Sequence, residues 1–177
     1  MKTSFKVSLG GIVAALSLVL MLITTLVPFG TYALPCFAGM LLICIVFELG
    51  YKWAFLVYFV VSLLSMLLLS DKEAALYYVI FLGFYPTLKG LIEKINSKVF
   101  QYVIKIALFN ICIISAFYIS ITLLSIPKES FELFGIYLPW VFLILGNITF
   151  VLYDVCVTRV VTLYILRFRK FITKKKL

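Results

Sequence analysis

From its first lysines to its basic end, the chain is a succession of long apolar stretches separated only by short polar or turn-forming breaks. A helix needs about 20 apolar residues to cross the hydrocarbon of a bilayer. A chain of 177 residues therefore holds no more than about six or seven crossings with short connections, and leaves no room for a soluble domain. The breaks place spans at about residues 6–27, 32–49, 53–69, 73–95, 98–124 and 138–166. The expected fold is an all-α membrane protein, a bundle of six transmembrane helices with N- and C-termini cytoplasmic. It forms a single integral membrane domain over 1–177, with a basic tail over 167–177.

Composition names the solvent. Hydrophobic residues make up 65% of the chain and charged residues 13%, whereas soluble domains run near a quarter charged. A mean hydropathy of +1.21 is too high for one small aqueous core, which would leave excess apolar surface in water. The run from Val7 to Val27, behind Lys2 and Lys6, exceeds a usual signal-peptide h-region and leads directly into further apolar segments, so it reads as the first helix.

The breaks carry turn chemistry. Pro28-Phe29-Gly30 closes the first span, Glu48-Leu49-Gly50 the second, and Ser70-Asp71-Lys72-Glu73 offers an N-cap and early acidic residues to the fourth. Pro86 is expected to kink that fourth helix. Beyond it, Thr87 to Ile95 turns amphipathic, as where a helix leaves hydrocarbon for headgroups. The longest connection, through Ser125-Ile126-Pro127-Lys128-Glu129-Ser130, joins the last two spans.

Charge sets orientation. With the N-terminus inside, twelve basic residues fall on inner segments: Lys2, Lys6, Lys52, Lys89, Lys94, Lys98, Arg167, Arg169, Lys170 and Lys174 to Lys176. Only Lys72 and Lys128 fall outside. The net charge of +9 is thus a topology signal, and no nucleic-acid partner is expected.

Lys105, Asp154 and Arg159 lie within spans, where each ionisable group costs roughly 2.5 to 3.5 kcal/mol near the bilayer centre and needs a partner or a cavity. By helical rise, Lys105 and Asp154 fall at similar depth in the inner half, so they are expected to pair across two helices. The pair serves either as a buried tie or in transport coupling or ligand contact. Arg159, nearer the boundary, reads as a snorkelling side chain. Asn110 and Asn147 also match in depth, as polar glue or as substrate-facing groups. Tyr78, Phe81, Tyr85 and Lys89 form a stripe on the fourth helix, either packing or the wall of a pocket for a planar organic molecule. Gly10, Gly11, Ala14 and Ala15 make two overlapping small-xxx-small pairs, which admit another helix closely.

Enzyme chemistry finds little footing. The chain has no histidine, no GxxxxGK[ST] to hold nucleotide phosphates and no HExxH for zinc. Cys36, Cys44, Cys112 and Cys156 sit apart in apolar stretches. No enzymatic activity, cofactor or metal is expected.

Several features resemble a substrate-binding S component of the energy-coupling-factor (ECF) transporters, bacterial ABC-type importers of vitamins and other micronutrients. They are the length, the six spans, the basic C-terminus and an opening helix reading Gly10-Gly11-Ile12-Val13-Ala14-Ala15. Tyr32-Ala33-Leu34-Pro35, Asp71 to Leu76, Gly83-Phe84-Tyr85-Pro86 and Tyr153-Asp154 to Arg159 add to the likeness. The resemblance implies residence in the bacterial cytoplasmic membrane and vitamin-like transport. It also implies docking of the first helix, through Gly10, Gly11, Ala14 and Ala15, on a transmembrane coupling subunit served by two ATPase subunits. Glycine stands where the family's AxxxA-type face has alanine. The substrate site it implies opens outward around Tyr32, Tyr78, Phe81, Asn110, Tyr118, Trp140 and Asn147, with Tyr85 on the aromatic stripe. The competing reading is a non-transporting membrane scaffold or assembly factor.

Overall fold

The computed structural model describes residues 3–27, 30–122, 132–133, 136–137 and 139–168. The Pro28-Phe29 turn, the Ser125 to Ser130 connection and the basic tail from Arg169 onward lie outside these residues. Its helices are α1 (Thr3–Ile23), α2 (Ala33–Leu49), α3 (Tyr51–Leu68), α4 (Lys72–Tyr77), α5 (Tyr85–Ile92), α6 (Lys98–Thr122) and α7 (Pro139–Leu163). A π-helical turn, Tyr78–Leu82, links α4 towards α5 in one fourth span, and a second, Tyr164–Phe168, extends α7. Between α6 and α7, Glu132–Leu133 pairs antiparallel with Ile136–Tyr137. Among the described residues, five spans are long and apolar enough to cross a membrane; α2, with 17 residues, is slightly shorter.

Large apolar side chains cover much of the outer surface. Ile12, Leu16, Leu63, Leu67, Ile111 and Ile148 are all exposed, while Lys89, Lys105 and Asp154 are buried. That inversion suits a hydrocarbon solvent, and the chain is a multi-pass helical membrane protein.

Local chemistry sets the helix ends. Gly50 alone joins α2 to α3, at φ 89°, in the left-handed region that favours glycine, and its N–H donates to the carbonyls of Ile45 and Val46. Asp71 caps α4 by accepting the Ala74 N–H at 3.0 Å. Lys6 stands 5.9 Å over the Trp53 ring, Lys94 stands 4.8 Å over Tyr51, and Tyr164 donates to Glu48 at 3.1 Å. The start of α1, the end of α7, the α2–α3 turn and the α5–α6 turn therefore share one end of the bundle.

α2 runs through the middle. One side joins a core with α1, α3 and α4 around Met21, Leu42, Ile45, Val57 and Val61. Its other side, through Met40 and Ile43, joins Phe81, Tyr85, Phe109, Phe150 and Val157. Gly39 lets it reach the fourth span, for a Cβ there would overlap the Leu82 carbonyl oxygen.

The fourth span is not the uninterrupted helix expected over 73–95: it is interrupted at Gly83-Phe84, just ahead of Pro86, where a proline break is expected. Pro86 lies in the first turn of α5. The break lies upstream, and two tyrosines repair it. The Gly83 N–H donates to the Tyr78 carbonyl at 2.8 Å, five residues back, so the Val79 carbonyl loses its ordinary helical donor. The Tyr58 hydroxyl of α3 donates to that carbonyl at 2.5 Å. Pro86 has no N–H to offer Leu82 four residues back, and the Tyr153 hydroxyl of α7 donates there at 3.1 Å. In hydrocarbon such freed carbonyls persist only when neighbouring helices supply donors.

Candidate functional site

Tyr85, Lys89 and Glu93 recur at four-residue spacing on one face of α5 and its C-cap. The tight turn into α6 is held by the Gln101 side-chain amide, which donates to the Ile95 carbonyl at 2.6 Å. That turn brings Lys105 back over Glu93, and α7 supplies Asp154 from the opposite side.

These five side chains form one polar cluster. Asp154 Oδ1 accepts from Tyr85 Oη at 2.5 Å and from Lys89 Nζ, while Lys105 Nζ donates to both Asp154 oxygens at 3.2 Å. Lys89 also donates to the Asp154 backbone carbonyl at 3.1 Å. Glu93 Oε1 forms an ion pair with Lys89 at 3.0 Å and accepts from Lys105 Nζ at 2.7 Å. Side-chain exposure is 3% for Lys89, 5% for Lys105, 12% for Asp154 and 40% for Glu93. Two positive and two negative groups leave the cluster neutral, as a low-dielectric interior demands: each unpaired buried ion costs several kcal/mol. Beside it lies a small half-open cleft with Phe47, Tyr51, Pro86 and Val161 as walls and Lys89 and Glu93 at one side.

The expected Lys105–Asp154 pair is thus present, but as part of a larger network. Lys89, counted on the sequence among inner-segment charges, is buried in it. Arg159 takes no part; it is exposed on α7.

The aromatic stripe is packed core and not an open pocket wall. Tyr78, Phe81 and Tyr85 are fully buried. Phe81 stacks on Tyr85 at 4.8 Å and meets Phe109 and Phe150 edge-on at 5.3 and 5.6 Å, so these rings pack on one another. The Tyr78 hydroxyl is buried with no hydrogen-bond partner among the described residues.

Tyr32 and Tyr118 stand away from that core, both exposed. Tyr32 donates to Glu73 at 2.8 Å while Thr31 donates to Asp71 at 3.1 Å, tying the α1–α2 loop to the start of α4. Trp140 begins the second residue of α7, but its side chain is outside the described residues.

Asn110 and Asn147 form the expected interhelical pair, each amide nitrogen donating to the other's oxygen at 3.0 Å. Each also donates to the carbonyl four residues back, Ile106 at 2.8 Å and Leu143 at 2.9 Å. With both donors of each amide used, the pair acts as glue between α6 and α7. Asn147→Leu is expected to cost about 1 kcal/mol of stability in detergent unfolding, within the range of interhelical hydrogen bonds. The Asn110→Leu/Asn147→Leu double variant should lose less than the sum of the two singles, since no amide is left unpaired.

The four small residues of α1 divide. Gly10 is buried, with a Cβ position 3.4 Å from Val57 Cγ2, and Ala14 packs into the same core. Gly11 and Ala15 are exposed, and a Cβ at Gly11 would meet nothing within 4 Å.

Sequence reasoning did not find the roles of Tyr58, Tyr153, Glu48 or Glu93. For Tyr153 half a signal existed, because Pro86 marks the Leu82 carbonyl as needing a donor, but nothing along the chain says which helix supplies it. Among the described residues no group of three His, Cys, Asp or Glu side chains gathers to hold a metal ion. No protein-family model, curated protein or solved structure matches the chain.

Proposed function

We propose that the chain is the substrate-binding subunit of an ECF-type importer in a bacterial cytoplasmic membrane. It captures a small vitamin-like organic molecule outside and delivers it with a transmembrane coupling subunit and two ATPase subunits. The observation that carries this reading is the division of α1. Gly10 and Ala14 are spent on internal packing, whereas Gly11 and Ala15 remain on an apolar outer face flanked by exposed Ile12, Leu16 and Val19. Such a face admits a partner helix at close range.

The test is copurification. The tagged chain is expected to retain a coupling subunit and paired ATPases, and Gly11→Leu should reduce that yield at least severalfold without lowering thermal stability. Robust uptake by the isolated chain in liposomes would count against the reading. Mass spectrometry of retained small molecules would name the substrate.

A specific observation favours the scaffold reading as the alternative. The aromatic stripe is closed core, the asparagines satisfy one another and the charge cluster balances itself, so each of these groups serves to hold the bundle together. A chain that copurifies with neither ATPases nor a small molecule would decide for it.

A further inference from the structure

Lys89 and Lys105 do not meet Glu93 through separate oxygens. From two different helices both ammonium groups converge on the same atom, Oε1, at 3.0 and 2.7 Å. Each also donates to Asp154. Two fixed cations aimed at one oxygen make a seat for a carboxylate, and Glu93 fills that seat from the C-cap of α5. Of the cluster's four charged side chains, Glu93 is the most exposed, and it lines the cleft walled by Phe47, Tyr51, Pro86 and Val161.

We propose that Lys89 and Lys105 form a carboxylate-binding site which Glu93 occupies when no ligand is present. A small organic acid with an apolar body, entering by the cleft, displaces it. The exchange swaps one carboxylate for another, so the buried cluster stays neutral and no lysine is left uncompensated. Released Glu93 turns to the end of the bundle where Lys94 stands over the Tyr51 ring at 4.8 Å, at the side of the same cleft. The walls define the ligand class, because an aromatic or aliphatic body gains from burial against Phe47, Pro86 and Val161, whereas a bare inorganic anion does not. Nothing in this exchange requires the importer reading.

The test uses the full chain in lipid nanodiscs with 4-benzoylbenzoate as a photoactivated probe. Labelling is expected within the segments carrying Phe47 to Tyr51 and Val161, with protection by benzoate and none by the uncharged isostere benzamide. Labelling confined to other segments, or equal protection by benzamide, would overturn the proposal. Glu93→Gln removes the resident anion. If Glu93 holds the site for about nine-tenths of the time, benzoate should bind this variant about tenfold more tightly than the native chain, and unchanged or weaker binding would also overturn it. Should that variant fail to fold, the labelling of the native chain decides alone.

Discussion

Asp154→Asn is expected to destabilise the protein by about 3 to 5 kcal/mol, the cost of removing one partner from a buried ion pair. The substitution keeps the side chain's shape but leaves Lys89 and Lys105 sharing a single carboxylate, Glu93 Oε1. It also weakens the acceptor for the Tyr85 hydroxyl. The measurement is equilibrium unfolding in mixed micelles followed by helical circular dichroism. A second substitution separates charge from shape. In the Asp154→Asn background, Lys105→Met restores a neutral cluster of Lys89 and Glu93, and at least half of the lost stability should return. A loss below about 1 kcal/mol for Asp154→Asn would mean that water reaches the cluster, as for exposed pairs.

Gly39→Ala is expected to be the most damaging single-methyl change in the bundle. The added carbon would overlap the Leu82 carbonyl oxygen, lie 3.0 Å from the Leu82 carbonyl carbon and 3.3 Å from Gly83 Cα. All three are backbone atoms, so no side chain can turn aside. α2 must move off the fourth span, loosening the Tyr153 hydrogen bond to the same Leu82 oxygen. Overpacking of this kind costs about 1 to 3 kcal/mol, and more when backbone must shift. Gly11→Ala is the matched control. It meets nothing within 4 Å and should gain up to about 1 kcal/mol from helix propensity. Thermal unfolding of the two variants side by side checks both, and equal stability would remove the close packing of α2 from the account.

The two expectations differ in how far they were legible. Asp154 stood out because a carboxylate inside an apolar run is costly wherever it faces, and depth arithmetic alone placed Lys105 opposite it. Gly39, by contrast, is one small residue within an apolar run, and its meaning appears only when the fourth span is laid across it. The burial of Lys89 was hidden for a related reason. The stretch after Pro86 is amphipathic and looks like a helix entering the headgroup layer, yet α6 and α7 close over it.

The sequence by itself determined the solvent, the all-helical membrane character, the Gly50 and Asp71 ends, and the depth match that pairs Asn110 with Asn147. These follow from hydrophobic length, backbone stereochemistry and helical rise, which are properties of a segment and its immediate neighbours. Only the tertiary structure decided that the aromatic stripe is closed core, that Tyr58 and Tyr153 serve the carbonyls freed near Pro86, and that two lysines converge on one Glu93 oxygen. Each depends on which helix faces which across the bundle. In a chain whose spans are apolar on nearly every side, the pattern along one helix does not encode that choice; it is made by packing and by the demand that every buried polar group find a partner.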